Sequence, residues 1–142
     1  MSVEENLRLV DASIEAINAK DLDRLVGLYA TSAIEYDPRL TEPLKGRAAI
    51  REFIKPYFTA FPDAHVRKER AFGHGDWICY EAVFTATHTG PFAGPGGQTV
   101  PATNKRVRLT GCTVAKVEGG EFTEVHNYFD QLAMMTQLGL AP

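Results

Sequence analysis

The hydrophobic positions of the chain keep two rhythms. Over the first third they recur every three or four residues. Leu7, Val10, Ile14 and Ile17 form one apolar stripe, with Glu4, Glu5, Arg8 and Glu15 off it, as in an amphipathic helix. Asn18 to Asp21 breaks the rhythm, and Asp21 is placed to cap a second helix over Leu22 to Tyr29. Thr31 to Asp37 reads as a short strand that Pro38 ends. Gly46 opens a third helix, in which Ala49, Phe53, Tyr57 and Phe61 repeat at spacing four. Pro56 inside it removes one backbone hydrogen bond, so a bend is expected there.

After Pro62 the period becomes two. His65 to Gly73, Asp76 to Thr89, Lys105 to Glu118 and Glu121 to Phe129 read as strands. Gly73-His74-Gly75-Asp76 and Glu118-Gly119-Gly120-Glu121 are hairpin turns, because glycine accepts positive φ. Gly90 to Asn104 is rich in Gly and Pro and reads as a loop. Its Gly94-Pro95-Gly96-Gly97 run lacks the Gly-Lys-Ser/Thr and the strand-to-helix setting of a phosphate loop. Asp130 then starts a last helix, Gln131 to Leu138, stopped by Gly139. Helices first and an antiparallel meander second give one α+β domain over 1–142.

A long, twisted antiparallel sheet curls, and helices can close its open side into a cone with a hollow end. Strand parity says which side chains face the hollow. On Asp76 to Thr89 these are Ile78, Tyr80, Ala82, Phe84, Ala86 and His88; on Lys105 to Glu118, Val107, Leu109, Gly111, Thr113 and Ala115. Glu81, Thr85, Thr87, Arg106, Arg108 and Lys116 lie on the opposite faces. An apolar wall with one histidine suits a pocket for a hydrophobic carbonyl compound, and equally suits a filled core.

Composition narrows the classes. The chain has 142 residues, 44% hydrophobic and 23% charged, ordinary values for a globular domain. It is long enough to bury roughly 70% of its unfolded surface without a staple. A net charge of −3 speaks against nucleic acid as a partner. Cys79 and Cys112 stand far apart, in neither a CxxC nor a zinc spacing, and read as two buried free thiols in a reducing compartment. His65, His74, His88 and His126 lack a metal-ligand spacing, so no metal is expected. The acidic start is unlike a signal peptide, and no apolar run approaches a membrane span. A cytoplasmic protein, not bound to membrane, is the expectation.

Two segments carry a resemblance. One is Thr87-His88-Thr89-Gly90-Pro91-Phe92-Ala93-Gly94. The other is Glu124-Val125-His126-Asn127-Tyr128-Phe129-Asp130-Gln131, continued by Gln137-Leu138-Gly139-Leu140-Ala141-Pro142. Together they resemble the SnoaL-like polyketide cyclase (predicted ester cyclase) family, within the cone-shaped nuclear transport factor 2-like superfamily. The resemblance implies an α+β cone and cofactor-free acid/base chemistry on a polyketide-like carbonyl compound. In aldol ring closure a proton leaves a carbon beside a carbonyl and the enolate attacks a second carbonyl. The family's acid/base aspartate falls here at Asn127, and its supporting histidine at Thr113. An amide cannot transfer a proton at neutral pH, but it can donate to a carbonyl oxygen. An epoxide-hydrolysing Asp–Arg–Asp set would fall on Ala82, Phe84 and Asn127, so its members are missing.

The candidate catalytic residues are therefore His88, Asn127 and Asp37. His88 could act as a base or donor near neutral pH, or simply hold the following loop. Glu35 and Asp37 share a face, and Asp37 is preferred because Asn or Asp recurs there in relatives; a buried carboxyl could serve as an acid. The expected substrate pocket is Tyr36, Phe53, Tyr57, Tyr80, Phe84 and Thr113, with His126 and Asp130 as secondary candidates. His126 sits opposite Asn127 and belongs more naturally to an outer face; Asp130 more naturally caps a helix. Two alternatives stay open: a binding or assembly module without catalysis, and an isomerase or dehydratase using Asp37 and His88. Val114, Val125 and Tyr128 leave apolar residues on both sheet faces, so a homodimer through the sheet is expected.

Overall fold

The computed structural model describes residues 2–93 and 98–141. The Gly94 to Gly97 run and Pro142 lie outside the described residues, and the loop and phosphate-loop readings of that run with them. Helix α1 (Val3–Asn18) starts where Ser2 accepts a hydrogen bond from the Glu5 N–H at 3.1 Å. Helix α2 (Leu22–Val26) is capped by Asp21, which accepts from the Arg24 N–H at 3.0 Å. It ends three residues before Tyr29, where the periodic pattern had placed its end. Strand pairing wins there. Tyr29 begins β1 (Tyr29–Tyr36), and the Phe122 N–H donates to the Leu28 carbonyl at 2.9 Å.

A two-residue strand β2 (Leu44–Lys45) leads through Gly46, at φ +94°, into α3 (Arg47–Ala60). Pro56 lies within that helix. The long strands β3 (His65–His74) and β4 (Trp77–Thr87) follow. Part of the expected Gly90 to Asn104 loop is a small hairpin, β5 (Phe92–Ala93) with β6 (Thr99–Val100). Strands β7 (Arg106–Glu118) and β8 (Glu121–Phe129) and helix α4 (Gln131–Gln137) complete the order. Gly75, Gly119 and Gly120 take positive φ at the two hairpin turns, a conformation that costs glycine little.

The main sheet runs β2-β1-β8-β7-β4-β3. It departs from the antiparallel meander in one place: β1 pairs with β8 in parallel, Glu35 opposite Val125 and Tyr36 opposite His126. That pairing joins the two ends of the chain and brings both inner rows to one concave face. Helices α1 and α2 cover one end, where Val10, Ile14, Leu25, Ile50 and Ile78 are buried. Phe61, Ala86, Val107, Met134 and Leu138 fill the other end under α3 and α4.

The two cysteines are corrected by the same register. Cys79 on β4 and Cys112 on β7 lie on the outer face, half-buried, with sulfurs 3.5 Å apart. Both are free thiols; distant in sequence, they are spatial neighbours and half-buried rather than buried.

Candidate active site

A cavity of about 290 Å³ lies between α3 and the inner face of the sheet. Phe53 and Tyr57 of α3, Tyr80, Ala82 and Phe84 of β4, and Leu109, Gly111 and Thr113 of β7 contribute to its wall. Asn127 of β8 and Glu35, Asp37 and Arg39 of the β1 end supply most of its polar character. The cone is thus filled at its ends and hollow in between.

Alternation along β1 sorts its side chains. Glu35 and Asp37 point in and are buried, at 3% and 7% exposure. Tyr36 points out, 40% exposed, and stacks on the His126 ring at 4.4 Å between centroids. Tyr36 is therefore no pocket residue: two successive strand residues cannot share a face. His126 lies on the outer face too, bound to Glu124 at 2.7 Å. Asp130 accepts from the Ala133 N–H at 2.9 Å and caps α4.

Asp37 lines the cavity but is not a free acid. Arg39 donates to both its oxygens, Nε to Oδ1 and Nη2 to Oδ2, each at 2.7 Å, and the Arg39 backbone N–H adds a third bond at 3.0 Å. The chain turns at Pro38 so that the guanidinium folds back on the carboxylate two residues earlier. The same guanidinium lies 4.6 Å from the Phe53 centroid, 4.2 Å from Tyr57 and 5.2 Å from Phe129. Aromatic faces and a bidentate carboxylate together hold a cation in an apolar wall.

His88 is placed outside the cavity. Its ring is fully buried among Phe61 and Phe92. Nδ1 accepts from the Thr103 N–H at 3.2 Å, while the His88 N–H donates to the Lys105 carbonyl and its own carbonyl accepts from Asn104. Burial lowers its proton affinity, against a smaller opposing effect of the Gly90 backbone. A neutral histidine that ties the end of β4 to the start of β7 fits this geometry; a base facing a substrate does not.

Glu35, unlike Asp37, is a buried carboxyl without a cation bound to it among the described residues. Burial pushes its carboxyl up to about 7 from 4.5; the Tyr29 hydrogen bond, Arg39 and Asn127 pull against this, and Asp37 adds to it. Tyr29 Oη donates to Glu35 Oε1 at 3.0 Å. No salt bridge among the described residues neutralises Glu35. Thr113 Oγ1 donates to Asn127 Oδ1 at 2.9 Å, and the Asn127 amide, on the same cavity wall, favours the ionised form of Glu35. Sequence reasoning passed over Glu35, Arg39 and Tyr29. The signal available was the shared face of Glu35 and Asp37 with an arginine two residues beyond. Among the described residues no group of three or more His, Cys, Asp or Glu side chains could hold a metal ion.

A curved sheet wrapped by helices around an apolar cavity is the cone of the ketosteroid isomerase-like class. The family model for SnoaL-like polyketide cyclases matches residues 7–138, and the chain belongs to that family. Solved structures similar to it include AclR, a candidate hydroxylase from Streptomyces galilaeus, at 21% identity and TM-score 0.85, covering 99% of this chain and 85% of that one. A SnoaL-like polyketide cyclase candidate from Jannaschia sp. CCS1 matches at 22% and 0.85, over 99% and 95%. A protein with a ketosteroid isomerase-like fold from Catenulispora acidiphila matches at 21% and 0.76, over 94% and 93%. At these identities the likeness concerns the fold.

The raised Glu35 carboxyl has a stability consequence. The folded carboxyl keeps its proton up to about pH 7, whereas the unfolded one loses it near 4.5. Stability from this group is whole below the lower value and is lost as pH rises through the upper one, a span worth roughly 3 kcal/mol. Glu35→Gln should therefore gain on the native protein between about pH 5 and about pH 8 in urea unfolding. The difference between the two isolates Glu35, because His88 titrates in both. A constant difference across that range would refute the assignment.

Proposed function

We propose that the protein catalyses proton transfer at carbon beside a carbonyl of a hydrophobic, polyketide-like small molecule, with Glu35 as the acid/base. The observation that carries this reading is a buried carboxyl in an apolar cavity, raised to about 7 and not neutralised by a cation. A base that titrates near working pH can both take and return a proton. Ionised Glu35 takes the proton, and the C–H electron pair moves onto the carbonyl oxygen to give an enolate. Asn127 and Arg39, which line the cavity, are the donors assigned to that oxygen in this reading. The enolate carbon then attacks a second carbonyl, closing a ring, and the oxygen of that carbonyl takes the proton back from Glu35; or the enolate recovers the proton at another position, giving an isomer.

In this reading the acid/base has moved one strand. The family position on β8 holds the amide of Asn127, and the carboxyl comes instead from Glu35 on the neighbouring β1. The alternative that used Asp37 and His88 loses its support, because Arg39 occupies one and the core encloses the other.

The test is hydrogen–deuterium exchange at the acidic carbon of an aromatic 1,3-dicarbonyl probe in heavy water. Native protein should accelerate it, more so as pH rises through 7. Glu35→Gln should lose roughly 10²–10⁴-fold. Glu35→Gln combined with Asn127→Asp, which puts a carboxyl back on β8, should recover part of the loss. Exchange undiminished in Glu35→Gln would overturn the reading.

We further propose that the outer sheet face joins two copies of this chain. One row crosses five strands there: Tyr36, His126, Val114, Cys79 and Phe72 are successive cross-strand partners. Phe72 and Tyr128 on this face are 58% and 57% exposed, large apolar side chains that a second copy could cover. Glu124 and Lys116 are partners beside the row, and Arg70 binds Glu81 on its other side, so a two-fold axis would meet mixed charges at the rim. Light scattering at micromolar concentration should return twice the 15.6 kDa of the chain, and Phe72→Glu with Tyr128→Glu should halve it. A native protein at the single-chain mass would contradict this.

A further inference from the structure

Four polar groups of the cavity form a line. Tyr80, Thr113 and Asn127 are direct cross-strand partners on β4, β7 and β8, and Asn127 lines the same cavity as Glu35 of β1. One row of hydrogen-bonding side chains crosses four strands inside the cone. Proton count gives the row a direction. A threonine hydroxyl has one proton, and Thr113 gives it to Asn127 Oδ1 at 2.9 Å. The carbonyl end of the amide is thereby engaged, and Nδ2 is the end left to face Glu35. Tyr29 donates to the same carboxyl at 3.0 Å.

We propose that Thr113 is a positioning residue for proton transfer at Glu35: its hydroxyl holds the Asn127 amide with the N–H end toward the carboxyl and the carbonyl end away. The proposal rests on the reading of Glu35 as acid/base. An N–H facing the carboxyl favours the carboxylate, the form that can take a proton from carbon. A carbonyl facing it favours the carboxylic acid, which would donate to that oxygen. An amide of nearly symmetric shape adopts either orientation, and Thr113 makes the choice. Without its proton the amide is free to turn and accept from protonated Glu35, which then holds its proton more tightly. The other titratable groups facing Glu35 are Tyr29 at the start of β1, Asp37 and Arg39 beyond its end, and Tyr80 on β4. Asp37 and Arg39 are bound to each other, and burial keeps both phenols protonated, so removing the Thr113 hydroxyl leaves their charges as they are.

The experiment is a carbon-13 titration of the Glu35 carboxyl in native protein, Thr113→Val and Thr113→Ser. Thr113→Val should titrate about one pH unit higher than native, and Thr113→Ser, which keeps the hydroxyl, should titrate with native. A valine variant with the native midpoint, or a serine variant that follows valine, overturns the proposal. Should Thr113→Val fail to fold, native protein still decides. The nitrogen-15 signals of the Asn127 side-chain amide must shift with the Glu35 midpoint, and signals that stay flat through it overturn the proposal equally. Failure of the catalytic reading is separate: undiminished carbon exchange in Glu35→Gln would remove the role of Glu35 in chemistry and leave these titrations untouched.

Discussion

A carboxyl sealed inside an apolar cone has two tolerable states. It can be neutral, or it can be ionised and met by donors. Glu35 sits between them. Burial favours the proton; Tyr29 and Asn127 favour its loss. The parallel pairing of β1 with β8 is what places Glu35 beside Asn127, and residues about ninety apart in the chain meet only because that pair closes the sheet.

The Asp37–Arg39 pair solves a different problem. A cation in the wall would lower the proton affinity of Glu35 strongly if it were free. Bound through two parallel hydrogen bonds to Asp37, Arg39 carries its charge in compensated form, and three aromatic rings cover its faces. Two carboxyls on one face of one strand thereby take separate roles: one neutralises a guanidinium, the other is left to titrate. Pairs of ionisable groups with environments this different are a recurring arrangement in acid/base sites.

Much of the fold was legible because local period survives in it. The stripe of α1, the strand pattern of β3, β4, β7 and β8, and the glycine turns follow from side-chain spacing alone. What period could not convey was long-range choice. Tyr29 reads as helical until Phe122 offers it a strand partner. Parity on β4 and β7 revealed the inner wall, but it states a face and not a depth: the row from Tyr80 to Phe84 borders the cavity, while His88 at its end is closed in by Phe61 and Phe92. Parity on β1 also held the answer for Tyr36, which cannot face inward with both of its neighbours. The preference for Asp37 over Glu35 failed on a contact no spacing rule supplies, the fold-back of Arg39 after Pro38.

Everything proposed for the cavity depends on Glu35 holding a proton near neutral pH. The infrared carbonyl band of a protonated carboxyl reads this directly. Difference spectra of native against Glu35→Gln protein should show the band at acid pH, fading with a midpoint near 7. No such band at about pH 6 would mean that Glu35 is already ionised there, and the account of the cavity as a proton-transfer site would be contradicted.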